Sequence, residues 1–167
     1  MRERLWELGG QINKVELFEF EAGNTEMVAT QDIVEGELLA YIPREMFITF
    51  ADSQMSPNVQ YLKMNDLIRK LTADEEKIQI SLYIMEERRN PVSTWRDYIA
   101  LLPKDWSSVP LFYSEDELDW LKGSDVFQEI LLDKKNLKAD YSMITKNIPE
   151  FTYEYSFREF LETYAAV

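Results

Sequence analysis

Residues 27–49 read MVATQDIVEGELLAYIPREMFIT and carry the clearest structural pattern in the chain. The apolar start at Met27–Ala29 and the run Glu37–Ile42, rich in residues that pack well on a pleated surface, predict two short strands around a turn. Gly36 lies within this turn, where a positive φ costs glycine little. Pro43 has no amide hydrogen for a ladder, so the second strand should end there. Periodicity alone therefore predicts a hairpin in an α+β domain.

The composition is that of one folded, acidic domain. Hydrophobic residues make up 46% of the 167 residues, which is enough material for a packed core. The net charge of −13 repels phosphate backbones, so we expect no nucleic-acid partner and consider basic protein surfaces better candidates. Because the chain has no cysteine and no histidine, disulfides, zinc sites built from these ligands, and mechanisms with a histidine base or a cysteine nucleophile are excluded.

The same features favour an intracellular location, cytoplasmic or nuclear, without excluding an organelle. The absence of cysteine fits a reducing compartment. The first eight residues are charged throughout and contain no apolar signal region. No apolar run approaches the roughly 20 residues that a membrane-spanning helix needs, so we expect no membrane insertion.

Helical periodicity and capping patterns predict that most of the remaining chain is helical. Capping boxes are predicted at Thr72-Ala73-Asp74-Glu75 and Ser114-Glu115-Asp116-Glu117, each opening a helix. Residues 53–58 and 151–155 are predicted to be connectors. The predicted helices cover 61–71, Thr72 to about Arg89, 95–102, 114 to Gly123, about Phe127 to Asn147, and 156 to the end of the chain.

The segment after Met27 resembles the opening of SET-domain protein methyltransferases. Ala29–Glu37, followed by Tyr41-Ile42-Pro43, matches their pattern of alanine-threonine, aspartate-isoleucine, glycine-glutamate and a strand that ends in proline. A later series resembles the helical insert of the Rubisco large-subunit methyltransferase and actin histidine methyltransferase group. The residues of this series are Trp95, Tyr98, Leu102-Pro103, Pro110-Leu111-Phe112-Tyr113, Glu117, Leu118, Leu121 and Gly123-Ser124.

This resemblance extends from about Leu5 to Tyr164 and implies a fold. It implies an α+β chain with a partial SET-type β region followed by a mainly helical insert. The expected boundaries are residues 1–49 for the SET-like β region and 50–150 for the helical insert. Residues 151–167 would then begin the return to the SET core.

The resemblance also implies a cofactor loop. In the family, a glycine-any-glycine turn lies against S-adenosylmethionine, and here the contacts would come from Gly23, Asn24, Thr25 and Glu26. Aligned on the following alanine-threonine pair, the two glycine positions fall on Asn24 and Glu26. Asparagine tolerates positive φ, but the Glu26 carboxylate would project toward the ligand and repel its carboxylate. A slip of one or two residues would bring Gly23 into use without restoring the second glycine. The loop is therefore predicted to be degenerate.

The catalytic half of the family has no counterpart in this sequence. In the family, the final helix is followed by an arginine that contacts the cofactor, an asparagine-histidine pair and a tyrosine that closes the transfer channel. Val167 falls about one residue short of that arginine, and a chain without histidine contains no such pair. We therefore expect no catalytic side chain and no metal ligand in these residues. The chain is expected to be either part of a longer polypeptide or a short derivative retained for binding.

Two functions remain open from the sequence. The first is the N-terminal part of an S-adenosylmethionine-dependent protein lysine or histidine methyltransferase, inactive as given, whose substrate is a protein. The alternative is a non-catalytic structural or interaction subunit of a larger assembly, whose apolar surface waits for a protein partner or for the missing C-terminal half. That surface is expected on the last helix, at Phe157, Phe160, Leu161 and Tyr164.

Overall fold

A short helix and two small antiparallel sheets come first in the chain, and the other helices follow them. The computed structural model describes residues 2–19 and 25–167. The strands are β1 (Gln11–Ile12), β2 (Val15–Glu19), β3 (Thr25–Ala29) and β4 (Ala40–Tyr41). The helices are α1 (Arg2–Glu7), α2 (Phe50–Ser53), α3 (Pro57–Met64), α4 (Glu75–Arg89), α5 (Arg96–Ala100), α6 (Glu115–Asp119), α7 (Asp125–Asn147), α8 (Pro149–Glu154) and α9 (Phe157–Ala166). More than half of the described residues are helical, and the α+β prediction is confirmed.

The strands pair differently from the predicted hairpin. Strand β3 pairs with the preceding β2, from Val15 opposite Ala29 to Glu19 opposite Thr25. Only Ala40–Tyr41 of the second predicted strand lies in a ladder, and its partner is β1. The hairpin prediction is wrong because alternation identifies strands but not their partners. The turn itself is confirmed, since Gly36 has a φ of +84°.

Helix α4 lies at the centre of the helical part. It packs against α2, α3, α5 and α9, while α7 packs against α8 and α9. The apolar face predicted for α4 is confirmed, because Ile78, Leu82 and Met85 are fully buried. The other buried members of this core are Val59, Leu62, Leu67, Leu137, Ile144, Phe151, Tyr155 and Phe160.

Helix α4 begins later than its predicted capping box. Its N-cap is Asp74, whose carboxylate accepts a hydrogen bond from the Lys77 amide at 3.0 Å. Thr72 instead donates its amide and hydroxyl hydrogens to the carboxylate of Asp140 on α7, at 2.8 and 2.9 Å. The predicted capping box is wrong because the Thr72 amide and hydroxyl bond to the distant Asp140 carboxylate, and Thr72 therefore does not cap the helix. The predicted capping box at Ser114 and Glu117 is confirmed.

Two predicted connectors contain helices. Helix α2 runs to Ser53, and α3 starts at Pro57 because the Ser56 hydroxyl accepts from the Val59 amide and proline suits the first helical position. Helix α3 ends at Met64, short of the predicted residue 71. The predicted connector 151–155 largely coincides with α8, which also begins with a proline. The long helix predicted to end at Asn147 is confirmed as α7.

The last helix does not expose the apolar surface that the sequence predicted. Phe160 is fully buried, and Phe157, Leu161 and Tyr164 pack against the same core. The Tyr141 ring of α7 lies 5.2 Å from the Phe157 ring and 5.7 Å from the Phe160 ring, centroid to centroid. The prediction was wrong because α4 and α7 pack against the apolar face of α9 and bury it.

Candidate functional site

The predicted cofactor loop lies at the end of the β2–β3 hairpin. Gly23 and Asn24 fall outside the described residues. Thr25 and Glu26 open strand β3, where they pair with Glu19 and Phe18 across the ladder. The described half of the loop is therefore regular antiparallel strand, and its backbone groups are positioned by β2.

The two faces of this hairpin differ in chemistry. Successive side chains of a strand alternate between faces, so the cross-strand pair Leu17 and Met27 lies on one face, together with Val15 and Ala29. This face carries no charge along those four positions. The opposite face is mixed, with the cross-strand pairs Glu16 and Val28, and Phe18 and Glu26. The Glu26 side chain is exposed to solvent on that mixed face.

Lys14 contacts several residues of the loop that follows β3. Its backbone has a φ of +56°, which is uncommon for a residue with a Cβ. Its carbonyl accepts from the Thr30 amide at 2.8 Å, and its ammonium donates to the Asp32 carbonyl at 2.8 Å. The ammonium also lies 2.7 Å from the Glu37 carboxylate. One lysine thereby ties the start of β2 to both ends of the turn 30–37.

The Glu37 carboxylate is held in its charged form by these contacts. The Lys14 ammonium, and then the Val34 amide that donates to Glu37 at 3.1 Å, lower the pKa of this carboxyl below its ordinary value. A group with a lowered pKa in the folded state contributes stability above its unfolded pKa and loses that contribution as the pH falls. The turn 30–37, at the end of the hairpin opposite the candidate loop, is therefore held more firmly near neutral pH than in acid.

The perturbed groups of the helical part have structural partners. Burial raises the pKa of Glu86, whose carboxylate accepts from the Asn58 amide at 3.1 Å, at the start of α3. Burial also raises the pKa of Tyr155 to about 12, and the Arg89 guanidinium lies 4.2 Å from the centroid of its ring. Both groups join helices through hydrogen bonds or ring contacts. Their shifted pKa values are explained by packing and point to no chemical step.

The described part of the chain holds neither a metal cluster nor a membrane-spanning helix. In residues 2–19 and 25–167, no group of three or more acidic side chains is arranged to hold a metal ion. Over the same ranges, no helix is long and apolar enough to cross a membrane.

Sequence reasoning missed two of the residues that organise these regions. Lys14 precedes a strand and carries no pattern that distinguishes it from a solvated lysine. Asp140 sits within a helix where a polar residue is expected to face solvent, yet it is 1% exposed. Their partners lie 16 to 68 positions away along the chain, so no local window contains both sides of the contact.

Comparison with known proteins gives several sequence relatives. No family model matches the chain. Relatives include actin-histidine N-methyltransferases of Papio anubis, 25% identical over 142 residues, and of Danio rerio, 29% identical over 120 residues. These alignments cover 85% and 72% of this chain. The chain spans only 23% and 19% of the length of those two relatives.

Solved structures with the same fold were also found. The SET domain of LSMT bound to methyllysine and AdoHcy superimposes with a TM-score of 0.74 at 20% identity. Rubisco LSMT bound to sinefungin and monomethyllysine superimposes with a TM-score of 0.73 at 19% identity. Each match covers 98% of this chain, but 37% and 38% of the respective neighbour. The similarity therefore shows a fold shared over nearly all of this chain and over little more than a third of each neighbour.

Proposed function

Because the resemblance to SET-domain protein methyltransferases of the Rubisco large-subunit and actin-histidine group is confirmed, we propose that the chain is the N-terminal part of such an enzyme. The parent activity would be S-adenosylmethionine-dependent methylation of a lysine or histidine side chain in a protein substrate. The observation that carries this proposal is the superposition of 98% of the chain on the SET domain of LSMT. The proposed division is residues 1–49 as β region, 50–150 as helical insert and 151–167 as the return to the core.

We also propose that the cofactor loop is degenerate, so that these 167 residues alone have no methyltransferase activity. The Glu26 side chain is exposed where the family has a glycine, and Glu16 lies on the same face of the hairpin. No described cation forms an ion pair with Glu26, so its charge would oppose the carboxylate of S-adenosylmethionine. The described residues of the loop therefore do not fit this cofactor, and we assign them no step of methyl transfer.

Isothermal titration calorimetry with S-adenosylmethionine tests the proposed loss of cofactor binding. We expect no binding heat from the 167-residue chain, whereas micromolar affinity would contradict the degenerate loop. Glu26→Gly should restore measurable binding if this side chain is the obstacle. Glu16→Gly is the matched control, because it makes the same change on the same face of the neighbouring strand and should restore nothing.

Sequencing the transcript past codon 167 tests the parent activity separately. A downstream arginine, an asparagine-histidine pair and a channel tyrosine would support descent from an active enzyme. An unrelated downstream sequence, or a stop codon at that point, would favour the second candidate function. This result is independent of the calorimetry, because it concerns residues outside the cofactor loop.

The second candidate is a non-catalytic interaction subunit, and the β region favours it. Large apolar side chains there are exposed by a third to two thirds of their surface, including Leu17 at 56% and Met27 at 63%. Monomeric proteins rarely leave large contiguous apolar patches open. The exposed large apolar residues of this region are Trp6, Leu8, Ile12, Leu17, Phe18, Met27, Val28, Ile33, Val34, Leu38, Tyr41, Ile42 and Phe47.

The pairing of the strands supports the same proposal. Among the described residues, β2 and β3 pair only with each other, so the outer edge of each strand is open. An isolated two-stranded hairpin is marginally stable in water, and open edges are templates for further strands. We propose that a protein partner, or further polypeptide of the same protein, covers the face of Leu17 and Met27.

Light scattering coupled to size-exclusion chromatography tests this surface. We expect the isolated chain to self-associate, and Leu17→Ser with Met27→Ser to return it toward a 19.8 kDa monomer. The matched control is Leu132→Ser with Met64→Ser, which removes one exposed leucine and one exposed methionine from helices α7 and α3. A monodisperse monomer of the unchanged chain would remove the main support for the interaction subunit.

A further inference from the structure

A groove of about 440 Å³ lies on the helical part, between the end of α4, helix α5 with the segment that follows it, and helix α9. Its apolar lining comes from Ile99, Ala100, Leu102 and Pro103. Ile99 is buried, and Leu102 is half-buried. The volume falls within the range of roughly 300–1,000 Å³ that is typical of ligand sites.

Three cations and two acidic side chains surround this apolar lining. Of the acids, Glu162 pairs with Arg158 at 2.8 Å, whereas Glu87 accepts from the neutral Asn90 side-chain amide at 3.2 Å and keeps its negative charge. Of the cations, Arg88 has a long ion pair with Glu159, 3.7 Å away.

The other two cations of the groove are Arg96 and Lys104. Both side chains are exposed, and neither forms an ion pair with any described residue. The side chains that line the groove carry three positive and two negative charges, so the groove has a net positive charge beside an apolar surface. In a chain whose net charge is −13, this is a local reversal of sign.

We propose that this groove binds an acidic polypeptide segment of another protein. Carboxylates of the segment would pair with Arg96 and Lys104, and one apolar side chain between them would lie on Ile99 and Leu102. Arginine presents a planar set of donors that matches a carboxylate, which favours this anion over an uncharged partner. The proposal does not rest on methyltransferase activity, because the groove shares no residue with the cofactor loop or the β region.

The overall negative charge does not prevent such binding. Charges farther apart than about 8 Å are largely screened at physiological salt, so nearby cations dominate the interaction once the segment has arrived. Charge pairs at the rim of an interface act mainly on the association rate and on salt dependence. Binding should therefore weaken as salt is added.

Fluorescence anisotropy measures this binding. The probe is a fluorescein-labelled octapeptide, Glu-Glu-Leu-Glu-Glu-Phe-Glu-Glu, and the control peptide carries glutamine at each glutamate. We expect the acidic peptide to bind the 167-residue chain and the glutamine peptide to bind at least about tenfold more weakly. Equal binding of the two peptides, or no binding of the acidic one at millimolar protein, would overturn the proposal.

Variants assign the binding to the groove. Arg96→Glu with Lys104→Glu should weaken binding by about tenfold or more. Lys135→Glu with Lys138→Glu is the matched control, because it makes the same charge change on exposed lysines of α7 that do not line the groove. Equal loss in both double variants would mean that net charge alone governs binding, and would overturn the proposal.

Ala100→Trp tests the site without changing any charge. A large ring at this position of the lining should fill the groove and weaken peptide binding, with circular dichroism and the melting temperature unchanged. If inorganic phosphate at the same charge concentration displaces the peptide completely, the groove is a small-anion site and the proposal of a polypeptide ligand fails. Unchanged binding by the tryptophan variant would likewise place the peptide elsewhere.

Discussion

Asp140 shows how much structure a single buried side chain supports. It is 1% exposed on α7, and its carboxylate accepts from the Thr72 amide, the Thr72 hydroxyl and the Ala73 amide at 2.8 to 2.9 Å. These bonds fix the segment that leads into the central helix α4.

Asp140→Ala should lower the free energy of unfolding by about 2 kcal/mol, because the partly buried backbone amides of Thr72 and Ala73 lose their acceptor. Asp140→Asn should cost less, since one side-chain oxygen remains to accept. Urea denaturation measures both changes. Asp133→Ala, on an exposed position of the same helix, is the control and should change stability by less than about 0.5 kcal/mol. A loss below about 1 kcal/mol for Asp140→Ala would contradict this role.

The contacts of Asp140 could not be predicted from the sequence. Its partner Thr72 lies 68 positions earlier, and the local pattern around Thr72 indicated capping. Thr72 matches a common local capping motif, but its hydroxyl bonds to Asp140 instead, and Asp74 caps the helix. In contrast, Ser114 and Glu117 satisfy their capping box within four residues, and that local prediction holds.

At the scale of elements, Arg89 joins helices α4 and α9. Its two terminal nitrogens donate to the two carboxylate oxygens of Glu159 at 2.6 and 2.8 Å, and it also donates to the Glu154 carbonyl. The hydrogen bonds to Glu159, and then the charge of that carboxylate, raise the pKa of Arg89 further above its ordinary value. The guanidinium also lies over the Tyr155 ring. One side chain therefore connects the end of α4 to the two last helices.

Arg89→Lys should lower the free energy of unfolding by about 1 kcal/mol, since lysine keeps the charge but loses the paired donors and the flat contact with the ring. Arg158→Lys is the matched control, because its pair with Glu162 is exposed within one helix and should be worth less than about 0.5 kcal/mol. Chemical denaturation compares the two variants. Equal losses in the free energy of unfolding would mean that the paired hydrogen bonds and the ring contact of Arg89 stabilise the fold no more than the exposed Arg158 pair does.

Elements were predicted more reliably than their pairings. The long helix α7 and the buried face of α4 follow from apolar spacing, which a helix must satisfy wherever it packs. Strand β3 pairs with the preceding strand β2 and not with the following segment, and apolar alternation does not distinguish these two neighbours. The cover of α9 includes α4, which lies far away along the chain. The predicted hairpin and the predicted exposed face of α9 were therefore both wrong.

For the whole molecule, stability should be distributed unevenly. The helical core encloses Leu82 and Phe160 completely, whereas Leu17 and Met27 of the hairpin are more than half exposed. Local opening needs little free energy where few apolar contacts are lost. The fold was predictable because the family resemblance runs through both parts, but this difference between them depends on packing that no local pattern contains.

Hydrogen exchange at neutral pH measures this distribution. We expect amides of α4 to exchange only on global unfolding, and amides of β2 and β3 to exchange through local opening at a cost of about 0–2 kcal/mol. The ends of α4 provide an internal comparison, since fraying there is ordinary. Protection of the Leu17 and Met27 amides equal to that of the Leu82 amide would contradict an independent, marginal hairpin.

The order of synthesis gives the separate helical core a further consequence. Among the described residues, every member of that core lies between residues 59 and 164, so nothing before α3 contributes to it. The hairpin leaves the ribosome before this core, and roughly 10 s then pass, at common elongation rates, until α9 has been translated. During that interval the face of Leu17 and Met27 has no folded helical core beside it. A nascent-chain chaperone that shields short apolar segments would then be the first protein to meet this surface.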